Sequence, residues 1–186
     1  MEHIWVAFSL NNLALADYLD GDLARAAEQA EESAALFRSL QAGPSLAEVL
    51  VTLGRVRGAQ GAVEAARTHL IEALSLVWAD GPRVVVAAAL DELGVQAVRQ
   101  RELQHGVHVL ALAAALRQVM GAPIRPADAP AIKVALATAG ASLDDAIFSE
   151  ACATGQTHTW AWLHEDARAP WEDMLRPLSP GREPSQ

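Results

Sequence analysis

Apolar residues recur along this chain with a helical spacing that itself repeats. Leu50, Leu53 and Gly54 stand at i, i+3 and i+4, on one face of a helix. Ala66, Leu70 and Ala73 form a second such stripe after Gly61. Both stripes recur forty residues earlier and forty residues later without an insertion. Leu10, Leu50 and Leu90 match, as do Leu13, Leu53 and Leu93, and Ala14, Gly54 and Gly94. In the second stripe Ala26, Ala66 and Gly106 match, then Ala30, Leu70 and Leu110, Ser33, Ala73 and Ala113, and Leu36, Leu76 and Leu116. Gly21 and Gly61 match at the turn, with Arg101 as third member. Each unit therefore reads as a helix, a tight turn and a second helix. The predicted helices are 3–19, 23–41, 45–60, 62–79, 83–100 and 103–120, with Gly43-Pro44 and Gly81-Pro82 punctuating between units. A hairpin of this kind buries its apolar face only by stacking on its neighbours. The expected architecture is an all-α solenoid of three hairpins over residues 1–120.

A turn-rich linker, Gly121 to Pro126, follows the third unit. Beyond it, 127–140, Ser142 to Ala153 and Thr159 to Ala167 read as shorter helices, with Ser142 and Thr159 as N-caps. Residues 121–170 are expected to cap the open end of the stack. The proline-rich 171–186 reads as a flexible tail.

Composition agrees with packed helices. Hydrophobic residues make up 52% of the chain and alanine is abundant, a residue that favours helix and lets helices approach closely. The formal charge is −9 and Lys133 is the single lysine, which argues against direct nucleic-acid binding. Cys152 is the single cysteine, so no intrachain disulfide can form. The N-terminus lacks the positive charge of a signal peptide. The most apolar run, Val84 to Leu90, is cut by Asp91 and Glu92, so no membrane span is expected. The reading is a cytoplasmic protein.

The offsets of Leu50, Leu53, Gly54, Gly61, Ala66, Leu70 and Ala73 resemble the tetratricopeptide (TPR) pattern, with a longer period than its usual one. Its aromatic after the Leu-Gly pair is missing: Asp17, Arg57 and Ala97 stand there. The resemblance implies a concave groove lined by the first helix of each unit. Asn11, Leu15, Tyr18 and Leu19, then Val51, Arg55, Gly58 and Ala59, then Asp91, Val95, Val98 and Arg99 would face it. The polar members and Tyr18 and Val95 are the candidate partner-binding residues. The stretch Val109 to Ala167 further resembles the C-terminal end of the TPR region in bacterial ATPase-linked LuxR/MalT-like transcriptional regulators. Ala115, Leu116, Arg117, Gly121, Ala122, Pro123, Pro126, Phe148, Ala153 and Gly155 carry that likeness. In that family the region senses an effector or partner.

No phosphate-binding loop and no basic helix-turn-helix occurs, so ATP is expected neither to bind nor to be hydrolysed. The resemblance thus implies a domain of a larger regulator or a stand-alone relative, and a helix at the very start of the chain favours the former. His105 and His108 lie three apart as a two-ligand edge without an evident third, and a solvated helix start is the simpler reading. His158, Trp160, Trp162, His164, Glu165 and Asp166 do not form H-E-x-x-H, because Arg168 stands at the second histidine position. Trp160 and Trp162, two apart, cannot share one narrow helix face, so one reads as packing on the end of the solenoid and the other as partly exposed, with an interaction patch as the alternative. Cys152 reads as a buried small hydrophobe, and Glu28, Glu31 and Glu32 as a solvated acidic face. Neither catalytic residues nor a cofactor or metal are expected. Arg55 and Arg99 either take an acidic group from a partner or pair with Glu48 and Glu92. Two functions stay open. One is a sensor or interaction domain for a protein, peptide or small effector. The other is a structural module that forms a homodimer through Ile4, Trp5 and Phe8 on its first helix.

Overall fold

The computed structural model describes residues 2–164, and side chains from 3 to 159. The expected flexible tail at 171–186, and the side chains of Trp160, Trp162 and His164, lie outside the described residues. Every regular element among the described residues is helical: α1 (Glu2–Asp20), α2 (Leu23–Ser39), α3 (Gly43–Ala59), α4 (Val63–Val77), α5 (Arg83–Arg99), α6 (Leu103–Met120), α7 (Ala129–Gly140) and α8 (Asp145–His164). The first six agree with the sequence reading to within three residues at each end. They pair as hairpins α1/α2, α3/α4 and α5/α6, and each hairpin packs on the next, as in an α-solenoid.

The forty-residue register works through close approach. A Cβ on Gly54 would lie 2.6 Å from Leu70, and one on Gly94 2.7 Å from Leu110. The first helix of a unit can therefore sit directly on the second, with Leu50, Leu53, Leu70, Leu74, Leu90, Leu112 and Leu116 fully buried between them. Two register positions lose their partners: Leu13 and Leu76 are exposed. Helix α5 is buried on nearly all sides, because it has a hairpin mate, a preceding unit and a following helix to face.

Each hairpin turns the same way. In the first, the Asp22 N–H donates to the Asp17 carbonyl and the Gly21 N–H to Tyr18. Ala62 and Gly61 repeat this with Arg57 and Gly58, and Glu102 and Arg101 with Ala97 and Val98. This is the Schellman closure, which needs a left-handed residue after the helix. Gly21 and Gly61 supply it at φ 87° and 78°; Arg101 supplies it at φ 69° despite its Cβ.

After α6 the helices lie on the third hairpin, and the chain departs from the sequence reading at one point. Helix α7 packs on α5 and α8 on α6, so the segment continues both layers of the stack. The two short helices expected at 142–153 and 159–167 are one helix, α8, which starts at Asp145. Thr159 is no N-cap: its hydroxyl meets the carbonyls of Gly155 and Leu112, both at 3.1 Å. Ala151, Gly155 and Thr159, four apart, form a small-residue edge that presses against α6. A Cβ on Gly155 would fall 2.4 Å from the His108 carbonyl.

The strained third turn gives a test. Arg101→Gly removes the Cβ from a left-handed position and should stabilise the fold by about 1 kcal/mol. Arg101 is exposed, so no packing is lost. Chemical denaturation of both proteins measures it, and an unchanged or lowered midpoint contradicts the strain.

Candidate functional site

The inner face of the stack carries charge where a concave groove was expected, and that charge is buried. Arg55 on α3 is 5% exposed; Asp91 and Glu92 on α5 are each 6% exposed. The adjacent acids point to different partners because successive residues on a helix are about 100° apart. Glu92 turns toward the preceding unit, its carboxylate 3.5 Å from Arg55. Asp91 turns toward its own hairpin mate and lies 2.5 Å from Arg117. Asp128, which directly precedes α7, reaches across to Arg55 at 2.7 Å. Arg125 holds the other oxygen of Asp128, also at 2.7 Å. The Arg55 guanidinium sits 5.9 Å from the centre of the Tyr18 ring, and Gln96 donates to Glu92 at 2.8 Å. Gly58 makes room for that glutamine, since a Cβ there would collide with its amide.

Three buried carboxylates thus face two buried guanidinium groups, and the half-exposed Arg125 offsets the excess negative charge. Removing such charges from water is costly unless each is paired. Burial pushes the Asp91 carboxyl up to about 7, with Asp128 and Glu92 adding to the rise against the pull of Arg117 and Arg55. Burial and then Glu92 likewise raise the Tyr18 hydroxyl.

The groove residues named from sequence therefore fall into several places. Tyr18 and Arg55 come together. Asp91 belongs to a neighbouring pair, and Asn11 is buried with its side-chain oxygen unpartnered. Val95 is covered by α7, packing in a cluster with Ile132, Ala135 and Ala139. Arg99 is exposed and borders a shallow pocket of about 450 Å³ with Arg101, Pro130 and Val134. Arg55, Asp91 and Val95 are consequently not open groove positions. The linker and α7 lie over that part of the inner face and give Arg55 an acid of the chain's own. Of the two readings of Arg55, pairing with Glu92 holds; Glu48 is exposed elsewhere.

An open part of the inner face is a pocket of about 490 Å³ that runs across the three hairpins near the starts of α3 and α5. Phe8 of the first hairpin, Val51 of the second and Val84, Val85 and Ala88 of the third contribute apolar wall. Met120, Pro123 and Arg125 also line it, as does the exposed Glu48, and Arg117 reaches it from α6. Sequence reasoning missed Arg117, Arg125 and Asp128. One signal was present: charges inside apolar helical runs, such as Asp91-Glu92 after Val84 to Leu90, must be paired once buried.

The remaining candidates are quieter. His158 on α8 packs against His108 with ring centroids 5.0 Å apart, and His105 lies 6.4 Å from His108. Among the described residues, no group of three or more His, Cys, Asp or Glu is arranged to hold a metal ion. Cys152 is half-buried beside the α7/α8 cluster, and burial raises its thiol. Glu28, Glu31 and Glu32 are exposed, with Glu31 paired to Arg57. On α1, Ile4 and Phe8 turn inward and Phe8 packs edge-on to Phe37, whereas Trp5 is 69% exposed. Among the described residues, no helix is long and apolar enough to cross a membrane.

Comparison with known proteins adds no relative: no family model, curated protein or solved structure matches the chain.

The Asp91 environment makes stability depend on pH. A carboxyl whose folded value lies above its unfolded 3.8 binds protons more readily when folded. Its penalty is present above about 7 and is relieved as pH falls through that value. Wild type should therefore gain melting temperature from about pH 8 to about pH 6 relative to Asp91→Asn, which cannot titrate. Parallel pH profiles for the two proteins contradict the assignment.

Proposed function

We propose that this chain is a non-enzymatic binding module built of TPR-like repeats. Its ligand is a peptide, a protein segment or a small effector seated in the pocket of the inner face. The likeness of Val109 to Ala167 to LuxR/MalT-like regulators makes it the sensor or interaction domain of a bacterial signalling or transcriptional regulator. One observation carries the reading: all three hairpins and the linker contribute to a single pocket of about 490 Å³. That volume lies within the range of small-molecule sites, and the mix of apolar wall and few polar groups is their usual chemistry. A ligand there touches every repeat, so its binding energy favours one relative arrangement of the hairpins.

Met120 gives a local reporter, because it lines this pocket and the chain has only three methionines. In a chain labelled at the methionine methyl groups, fragments at about 1 mM should shift the Met120 resonance, assigned with Met120→Leu. Val84→Trp, at a residue 55% exposed, should fill the pocket and abolish those shifts. A mixed library of neutral and charged aromatic fragments that leaves Met120 unmoved overturns the reading.

A second reading, assembly through the first helix, is favoured by the outward side of α1. Trp5 is 69%, Val6 47% and Leu13 50% exposed. Val6 and Leu13 stand one heptad apart, in line along the helix. The contact would then rest on Trp5, Val6 and Leu13 rather than on Ile4 and Phe8. Light scattering at tens of micromolar should show a dimer that Trp5→Glu converts to monomer; a monomeric wild type excludes this reading.

A further inference from the structure

The pocket is apolar on most of its wall, yet a buried cation stands at its base. Arg117 is 7% exposed, lines the pocket, and pairs with Asp91 through Nη2. Its other terminal nitrogen, Nη1, is buried without a hydrogen-bond partner and lies behind the pocket surface, so an acceptor in the pocket engages it only when the guanidinium turns away from Asp91. An arginine fork has five donors and no way to lose its charge. A buried donor left unmade is costly, and an anionic acceptor satisfies it best. Arg125, 43% exposed along its side chain, lines the same side, with its Nε committed to Asp128. The opposing charge, Glu48, is exposed to solvent, where its repulsion is screened. A neutral apolar ligand would satisfy the walls and leave Nη1 unpartnered.

We propose that the pocket binds a monoanionic ligand with an apolar body, its carboxylate-type head on Arg117 and its body between Phe8, Val51, Val84 and Met120. This rests on the reading of the pocket as the binding site and adds the chemical class of what enters it. The geometry also assigns Asp91 a role: it competes with the ligand for one guanidinium. Weakening that competition strengthens binding of an anion and leaves a neutral ligand indifferent. Four groups face Asp91 from the elements around it: Arg117 from α6, Arg55 from α3, Glu92 on its own helix and Asp128 from the linker. Protonation of Asp91 acts in the same direction as its replacement by asparagine.

The test uses two probes of matched shape, 1-naphthaleneacetate and its neutral amide, titrated into the full chain with the Met120 methyl resonance as readout. The acetate should bind at least about tenfold more tightly than the amide, the margin of a charge-assisted hydrogen bond. Asp91→Asn, confirmed folded by its melting curve, should tighten the acetate severalfold and leave the amide unchanged. Arg117→Lys, which keeps the charge but loses the fork, should remove most of the preference. Where that variant fails to fold, the asparagine variant alone decides. Equal affinity of the two probes overturns the ligand class while leaving the pocket as a binding site. An acetate preference indifferent to Asp91→Asn places anion recognition away from Arg117 and overturns the proposal. A Met120 resonance moved by neither probe, but moved by other fragments, also refutes the class. One moved by nothing sinks the binding reading itself.

Discussion

Arg55 is the residue on which the inner face depends. It is almost fully buried, and it collects one carboxylate from α5 and another from the linker before α7. A guanidinium in that position is tolerable only because both acids are present. The same pairing fixes where the linker runs. Asp128 is held by Arg55 and Arg125 together, so the chain leaving α6 crosses the inner face before α7 begins. Helix α7 then buries its apolar side in a cluster with α5, α6 and α8, where Ile132, Ala135 and Ala139 join Val95, Val98, Val107, Leu110 and Ala151.

Beneath the charges lies a packing rule that is simpler and more repetitive. Small residues at the crossing points let helices approach until backbone nearly touches backbone, as at Gly54, Gly94 and Gly155. Larger residues on either side, from Leu50 to Leu116, then interdigitate with no room to spare. The two layers of interaction divide the work. Close packing builds the hairpins and stacks them, whereas ion pairing settles what covers them.

The pocket exists because the covering is incomplete. The linker leaves α6 through Gly121 in the left-handed conformation and passes Ala122 and Pro123 before Asp128 anchors it. The space between that strand of chain and the starts of α3 and α5 is left open, with Arg117 at its base. Arg117, the side chain that balances Asp91, is also among the residues that line that space.

The sequence by itself determined the hairpins. A repeating stripe of leucine, glycine and alanine specifies helix faces through local periodicity, and Gly21 and Gly61 mark turns whose geometry only a left-handed residue can complete. Even Arg101 was placed correctly, because the register held where the glycine did not. The sequence also offered Arg55 and Glu92 as partners, as one of two alternatives. What it did not contain was the reach of Asp128, seventy-three residues from Arg55 and in a segment without periodicity. Nor did it show that Thr159 lies within a helix rather than at its start, because a threonine hydroxyl bonds a carbonyl of its own helix or caps a helix equally well. Those choices were made in the tertiary structure: a buried charge selects its partner by distance in space, and local sequence carries no record of that distance.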